Sequence, residues 1–229
     1  MIARVAALAH DLMAFALPQR CPGCGIPADP ARLLCDACLA RIPRLESELC
    51  TRCLAAGREP AGCPAHPGST ARAAWIYDER AALVVHALKY AERPLLARAL
   101  GMEMARALPR GYRPDLVIDV PLHRTRRRER GYNQAAVLAD ALAEAIAAPR
   151  LVGALSRPRA TRSQARLGPA ERRSNMAGAF RVERAAALEG RSILLVDDVL
   201  TTGATLESAL DALAAAGAVA TGIALAWAA

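Results

Sequence analysis

Two adjacent carboxylates, Asp197 and Asp198, end the apolar run Ile193-Leu194-Leu195-Val196 and lead through Val199 and Leu200 into Thr201-Thr202-Gly203-Ala204-Thr205. Acids in this position can hold the vicinal hydroxyls of a ribose, directly or through Mg²⁺. The hydroxyl-rich, glycine-bearing turn that follows can present backbone N–H groups to a 5′-phosphate at a helix N-terminus, where unpaired donors and the helix dipole favour an anion. Taken alone, an Asp-Asp pair after a strand is as often a solvated loop. The attached Thr-Thr-Gly-Ala-Thr string shifts the balance toward a ribose 5-phosphate site.

A second set of chemically competent residues lies near the N-terminus, as Cys21-x2-Cys24, Cys35-x2-Cys38, Cys50-x2-Cys53 and Cys63-x2-His66. Seven cysteines leave one thiol without a disulfide partner, whereas His66 completes eight ligands, enough for two tetrahedral sites filled by protein. Thiolates with one imidazole match Zn²⁺ in a structural role. Pro22, Gly23, Gly25 and Pro64 supply the tight turns of such knuckles. The ions can be held by sequential pairs, Cys21, Cys24, Cys35 and Cys38 on one, or by a cross-braced arrangement. His66, between Ala65 and Pro67, is the ligand with the strongest rival reading, that of a solvated loop residue.

These residues need elements to position them. Ile193 to Val196 reads as a parallel strand covered on both faces, and Leu206 to Ala216 has the apolar spacing of a helix. Ala73 to Tyr77 reads as an edge strand, followed by a helical stretch from about Glu79 to Leu108, bent near Pro94. Leu116 to Val120 and Leu151 to Leu155 read as strands, Tyr132 to Ala147 as a helix, Arg157 to Phe180 as loop-rich, and Ala218 to Trp227 as the closing strand. Strands alternating with helices predict an α/β fold with a right-handed parallel sheet. Ligand density stops near Pro67-Gly68-Ser69-Thr70, which divides the chain into an N-terminal helix (1–18), a double zinc ribbon (19–68) and an α/β domain (69–229).

With 54% apolar residues in 229, the chain can fill a medium core. It has no run of about twenty apolar residues, which argues against a membrane span. Ile2 to Leu17 resembles a signal peptide at first sight. His10 and Asp11 interrupt it, however, and Val5, Leu8, Leu12 and Phe15 repeat at helical spacing, so an amphipathic helix and a cytoplasmic location are expected.

The string from Val196 to Thr205 resembles the PRPP-binding signature of type I phosphoribosyltransferases. Nearly the whole chain resembles the ComF (competence protein F) family, on Cys21-Pro22-Gly23-Cys24-Gly25, Leu88-Lys89-Tyr90, Val120-Pro121-Leu122-His123, Arg130-Gly131-Tyr132-Asn133-Gln134, Gln164 with Glu171-Arg172-Arg173-Ser174-Asn175, Gly178-Ala179-Phe180, and that loop. His66 departs from the pattern, since members often carry cysteine there. The resemblance implies a double zinc ribbon before a phosphoribosyltransferase-like domain, a PRPP-type ligand with Mg²⁺, and a role in DNA uptake during natural transformation. In this scheme Asp197 and Asp198 are the catalytic acids, and Thr201, Thr202, Gly203, Ala204 and Thr205 hold the phosphate. Lys89, His123 and Arg124 face the diphosphate.

Whether such a site turns over is left open by the residues. Related enzymes of the hypoxanthine-guanine type carry an aspartate base at the position of Thr201, and a threonine cannot act as a base at neutral pH. The alternatives are an active phosphoribosyltransferase releasing pyrophosphate and a DNA-handling protein whose pocket binds without reacting.

Arg124, Arg126, Arg127, Arg128 and Arg130 add five cations in seven residues to a chain of formal net charge +8. A solvated face is the plain explanation, and a DNA-binding surface for single strands the functional one. Aromatic residues make up 3% of the chain, too few for a base-stacking platform, so phosphate contacts would dominate.

Overall fold

The computed structural model describes residues 20–27, 33–54, 63–90, 94–158, 171, 175–176 and 178–228. The helix expected over Ile2 to Leu17 and most of the stretch from Arg157 to Phe180 lie outside them. No helix among the described residues is long and apolar enough to cross a membrane.

Five strands form the central sheet: β1 (Leu49–Cys50), β2 (Thr70–Ile76), β3 (Leu116–Asp119), β6 (Ser192–Leu200) and β7 (Val219–Trp227), in the order β1-β2-β7-β6-β3. All neighbours run parallel except β1, which pairs antiparallel to β2. Strands β4 (Leu155–Ser156) and β5 (Arg181–Val182) form a separate antiparallel pair.

The sheet is parallel because its strands are joined by helices that cover both faces. Residues Ile193 to Val196 show this directly: Leu194 and Val196 enter one core cluster, and Ile193 and Leu195 the other. The first cluster is closed by α3 (Glu79–Tyr90), α4 (Pro94–Arg106) and α6 (Gln134–Ile146), through Val84, Val85, Leu100, Met104, Leu138 and Leu142. Helices α4 and α6 meet so closely at Gly101 that a Cβ there would lie 2.6 Å from the Ala141 backbone. The second cluster is closed by α8 (Ala204–Ala215), through Leu206, Leu210 and Leu213, and by Leu188 of α7 (Ala185–Leu188).

Several elements differ from the sequence reading for identifiable reasons. The helical stretch expected over 79–108 is two helices, the second beginning at Pro94, where a missing N–H costs nothing in a first turn. The expected edge strand is instead the second strand of the sheet, because β1 lies outside it. The segment Leu151 to Leu155 contributes a strand only at its end, although Leu151 N–H still donates to Val117 O. β1 comes from the metal-ligand region and contains Cys50 itself, so hydrogen bonds cross the boundary expected at 68.

Candidate ligand site and metal centres

The eight ligand-type residues gather as two clusters in sequential order, Cys21, Cys24, Cys35 and Cys38 in one, and Cys50, Cys53, Cys63 and His66 in the other. A tetrahedral zinc ion with Zn–S bonds of about 2.3 Å places its thiolates about 3.8 Å apart. The Sγ atoms of Cys24 and Cys35 lie 3.6 Å apart and those of Cys53 and Cys63 3.4 Å, while His66 Nδ1 stands 3.5–3.6 Å from Cys50, Cys53 and Cys63. The donor set and its edge lengths therefore fit zinc. All seven cysteines are free thiols.

Local structure prepares the first cluster. Cys35 is the N-cap of α1 (Asp36–Ala40), its sulfur accepting from Cys38 N–H at 3.4 Å, and Cys21 Sγ accepts from Cys35 N–H at 3.4 Å. Burial pushes the Cys21 thiol up, but the N–H groups of Cys35 and Gly23 outweigh it and draw the value down to about 6. Its neighbour goes the other way: Cys38 is pushed up to about 12, first by its hydrogen bond with Cys24 and then by burial. The second cluster repeats the split, with Cys63 drawn down to about 7 chiefly by Cys53, and Cys53 pushed up to about 11 chiefly by Cys63. Four crowded thiols of this kind ionise together only around a cation.

At the opposite end of the sheet's chemistry, β6 runs on through both aspartates to Leu200, keeping its pairing with β7 as far as Leu200↔Trp227. The carboxylates thus sit in a strand at the rim of the sheet rather than in a loop. Each is fixed by the next amide: Asp197 Oδ1 accepts from Asp198 N–H at 2.9 Å, and Asp198 Oδ1 from Val199 N–H at 2.7 Å. Burial and then the neighbouring charge of Asp198 push the Asp197 carboxyl well above its ordinary range. Such a pair favours a cation or hydroxyl donors brought by a ligand.

After Leu200 the chain turns through Thr201, Thr202 and Gly203 into α8. Gly203 is the N-cap of that helix at φ 77°, a left-handed conformation that glycine adopts without cost, and its carbonyl takes the first helical bond from Glu207 N–H at 2.8 Å. Thr201 is exposed, Thr202 and Thr205 are half-buried and Ala204 is buried. The Thr202 Oγ1 atom is buried and has no hydrogen-bond partner among the described residues. A buried hydroxyl in that state is waiting for one.

The loop from Val120 to His123 leaves β3 at the same rim. His123 is the N-cap of α5 (Arg124–Arg130), its Nδ1 accepting from Thr125 N–H at 3.3 Å, which leaves the other ring nitrogen for a ligand. Helical spacing divides the arginines. Arg126 and Arg130, four apart, are half-buried, with Arg130 donating to Gln134 Oε1 at 2.9 Å, while Arg124, Arg127 and Arg128 are exposed. Lys89 lies in the last turn of α3.

A family model described as a phosphoribosyl transferase domain matches residues 99–229, and one described as a double zinc ribbon domain matches residues 12–65. The chain is 31% identical over 213 residues to the DNA utilization protein YhgH of Salmonella typhimurium, covering 87% of this chain and 83% of that one. The YhgH protein of Escherichia coli O157:H7 is 31% identical over 192 residues, 81% of this chain and 74% of its own length. Competence protein F of Haemophilus influenzae is 38% identical over 94 residues, 41% of each chain. This chain belongs to the ComF family.

In this ComF-family protein, three features of the rim were not singled out from sequence. Arg157, which follows β4, lies over Phe180 at 5.6 Å and donates to Met176 Sδ at 3.3 Å. Burial weakens its hold on its proton, the charge of Asp197 strengthens it and that of Arg126 opposes it. Asp119, the last residue of β3, is bound by Arg150, and Asn133 Nδ2 donates to both Asp119 at 2.7 Å and Val120 O at 3.0 Å. The Tyr132 hydroxyl donates to Leu88 O. The Arg130-to-Gln134 motif therefore serves as a clamp on the β3 loop. The third feature is the seat of Gly203, whose added Cβ would lie 3.0 Å from the Thr51 carbonyl carbon and closer still to its oxygen. The sequence signalled the arginines by their number, Tyr132 and Asn133 through their motif and Gly203 through its turn, but gave no sign of the partners that each one meets.

Proposed function

We propose that this ComF-family protein binds PRPP, or another ribose 5-phosphate, at the rim formed by β6 and α8, and couples that ligand to the handling of DNA. The observation that carries this reading is the orphaned Thr202 hydroxyl, buried in a turn at the start of a twelve-residue helix and next to a carboxylate pair in which burial and Asp198 push Asp197 well above its ordinary range. Asp197 and Asp198 take the ribose hydroxyls, directly or through Mg²⁺. Thr201, Thr202, Gly203, Ala204 and Thr205 take the 5′-phosphate. His123, Arg124 and Lys89 are assigned to the diphosphate, and the Asp119–Arg150–Asn133 clamp holds the loop between β3 and α5 in place. PRPP carries Mg²⁺ on its diphosphate, which would balance the acids.

For turnover, pyrophosphate would leave ribose C1 through an oxocarbenium-like state, and this chain would contribute orientation and charge neutralisation. No side chain of Thr201 to Thr205 accepts a proton at neutral pH, so binding is the primary reading and glycosyl transfer the second. The DNA arm draws on the names of the relatives, DNA utilization protein and Competence protein F, and on the exposed Arg124, Arg127 and Arg128. Calorimetry with PRPP and with ribose 5-phosphate, each with and without Mg²⁺, tests the site. Saturable binding that Asp198→Ala weakens supports it, and no binding by folded protein overturns it. Pyrophosphate release across candidate acceptors separates the two readings.

A further inference from the structure

The second metal cluster and the phosphate loop are far apart in sequence and share a surface. Cys50 and Cys53 bracket Thr51 and Arg52, so two metal ligands fix the two residues that touch the loop. Thr51 is fully buried. Its N–H donates to Ser69 O at 2.9 Å, and Ser69 N–H donates to His66 O at 3.2 Å, tying it to the other half of the cluster. Its carbonyl is the surface against which Gly203 is packed, closely enough that no side chain fits.

Arg52 makes the second grip. Its guanidinium donates to Ser69 Oγ at 3.1 Å and pairs with Glu207 at 3.3 Å and Asp211 at 3.0 Å. Glu207 lies in the first turn of α8 and is only 7% exposed. Leu54, which ends α2 (Thr51–Leu54), belongs to the same core cluster as Leu206 and Leu210. A cavity of about 290 Å³ lies between the cluster's loop and α8, lined by Arg52, His66, Ser69, Glu207 and Asp211 among others.

We propose that the second zinc centre is a positioning element of the phosphate loop: by fixing Thr51 and Arg52 it sets the conformation of Gly203 and the first turn of α8, and hence affinity for the 5′-phosphate. Its affinity arm rests on the ligand reading above. The first cluster packs elsewhere, with Cys21 and Cys38 in the opposite core cluster. Arg52 and Thr51 act through the loop and need not touch ligand.

Hydrogen exchange of the apo protein, read at the amides of 203–207 and at β6 as internal reference, tests this alongside zinc content and calorimetry with ribose 5-phosphate. Arg52→Ala keeps both ions, so it remains informative if Cys53→Ser fails to fold. It should speed exchange at Glu207 about tenfold with β6 unchanged, and weaken ribose 5-phosphate about three- to tenfold. Arg52→Lys, which keeps the charge but loses the fork, should recover part of both effects. Cys53→Ser should lose one zinc and loosen the loop at least as much. Cys24→Ser should lose the other zinc and leave exchange at 203–207 within about twofold.

Unchanged loop exchange in Arg52→Ala and Cys53→Ser, or equal loosening in Cys24→Ser, overturns the proposal. Failure of the wild-type protein to bind ribose 5-phosphate or PRPP would overturn the ligand reading alone, because exchange in the apo protein still decides the coupling.

Discussion

The two metal clusters carry nearly the same ligand chemistry but are joined to different machinery. Cys21 and Cys38 are buried among Leu34, Ile42, Trp75, Val84 and Leu100, on the face covered by α3, α4 and α6. Leu49 and Leu54, which flank Cys50 and Cys53, pack instead with Leu200, Ala204, Leu206 and Leu210, around the turn that leads into α8. One cluster is thus part of the scaffold, and the other is part of the wall of the candidate ligand site. Ligand type and spacing say that metal binds. What the metal controls is decided by the residues between and beside the ligands.

The largest effect should come from breaking the scaffold cluster. Structural zinc contributes about 10–16 kcal/mol in isolated zinc-finger peptides, so Cys21→Ser should cost several kcal/mol even after partial compensation. Elemental analysis should give close to two zinc ions per chain for the parent and close to one for the variant, with a lower melting temperature. A parent value near one would remove the second cluster from the comparison.

Gly203→Val comes next and acts on the other side. A β-branched residue must adopt φ 77° and also displace the Thr51 carbonyl. The left-handed conformation alone costs about 1–2 kcal/mol. Calorimetry should show PRPP affinity falling by about ten- to hundredfold or more, since loss of a hydrogen bond to a charged group is worth about 1.5–3 kcal/mol. Retained affinity would detach the loop from the second cluster's wall.

Asp197→Asn sharpens the comparison through pH. Burial and the charge of Asp198 raise the folded-state pKa of Asp197 above its unfolded value, so the folded state holds this proton more tightly. The stability that Asp197 contributes is present below the ordinary carboxylate range and lost as pH rises through the raised value. The variant should therefore match the parent in acid and gain in melting temperature as pH increases, by about 2–4 °C per kcal/mol for a chain of this size. It should also lose ligand affinity, and Mg²⁺ with PRPP should narrow the stability gap. A gap that is constant with pH would mean that Asp197 carries no such strain.

The smallest effect is expected at α5, where Arg124, Arg127 and Arg128 are exposed. Replacing the outward Arg124, Arg127 and Arg128 with Ala should weaken DNA binding equally for unrelated sequences and reduce its salt dependence by up to about three phosphate contacts. Gel-shift titration at two salt concentrations reads this directly. An effect on one sequence only would contradict phosphate-based recognition.

What was legible in the sequence follows the range of each interaction. The run Ile193 to Val196, the turn through Gly203 and the helix beginning at Ala204 are encoded locally, so strand, loop and helix appear in order. The eight ligands are legible for the same reason. Their sequential pairing was not, because four knuckles of equal spacing do not say which two share an ion. Nor was β1, two residues whose strand character comes from β2 across the expected boundary. The grip of Arg150 on Asp119 and the seat of Gly203 on Thr51 join residues distant in the chain, and no periodicity reports such contacts. Gly203 was legible as a turn position at the start of the helix, while the partner that crowds it was not.

The segment between the two clusters also decides how this protein would fail. Pro43 O accepts from Ile76 N–H at 2.8 Å, Leu45 N–H reaches Ala74 O at 3.4 Å, and β1 continues along Ala71 and Thr70, so the outer side of β2 is occupied from end to end. Beneath that cover lies a strand with Ala71, Ala73, Ala74 and Trp75 buried. Were the metals withdrawn and the cover released, β2 would present open hydrogen-bonding groups beside apolar side chains, the template on which other chains add strands. Chelated protein should then scatter light with a rate that climbs with concentration, and the ribbons would be as much a guard against self-association as a source of stability.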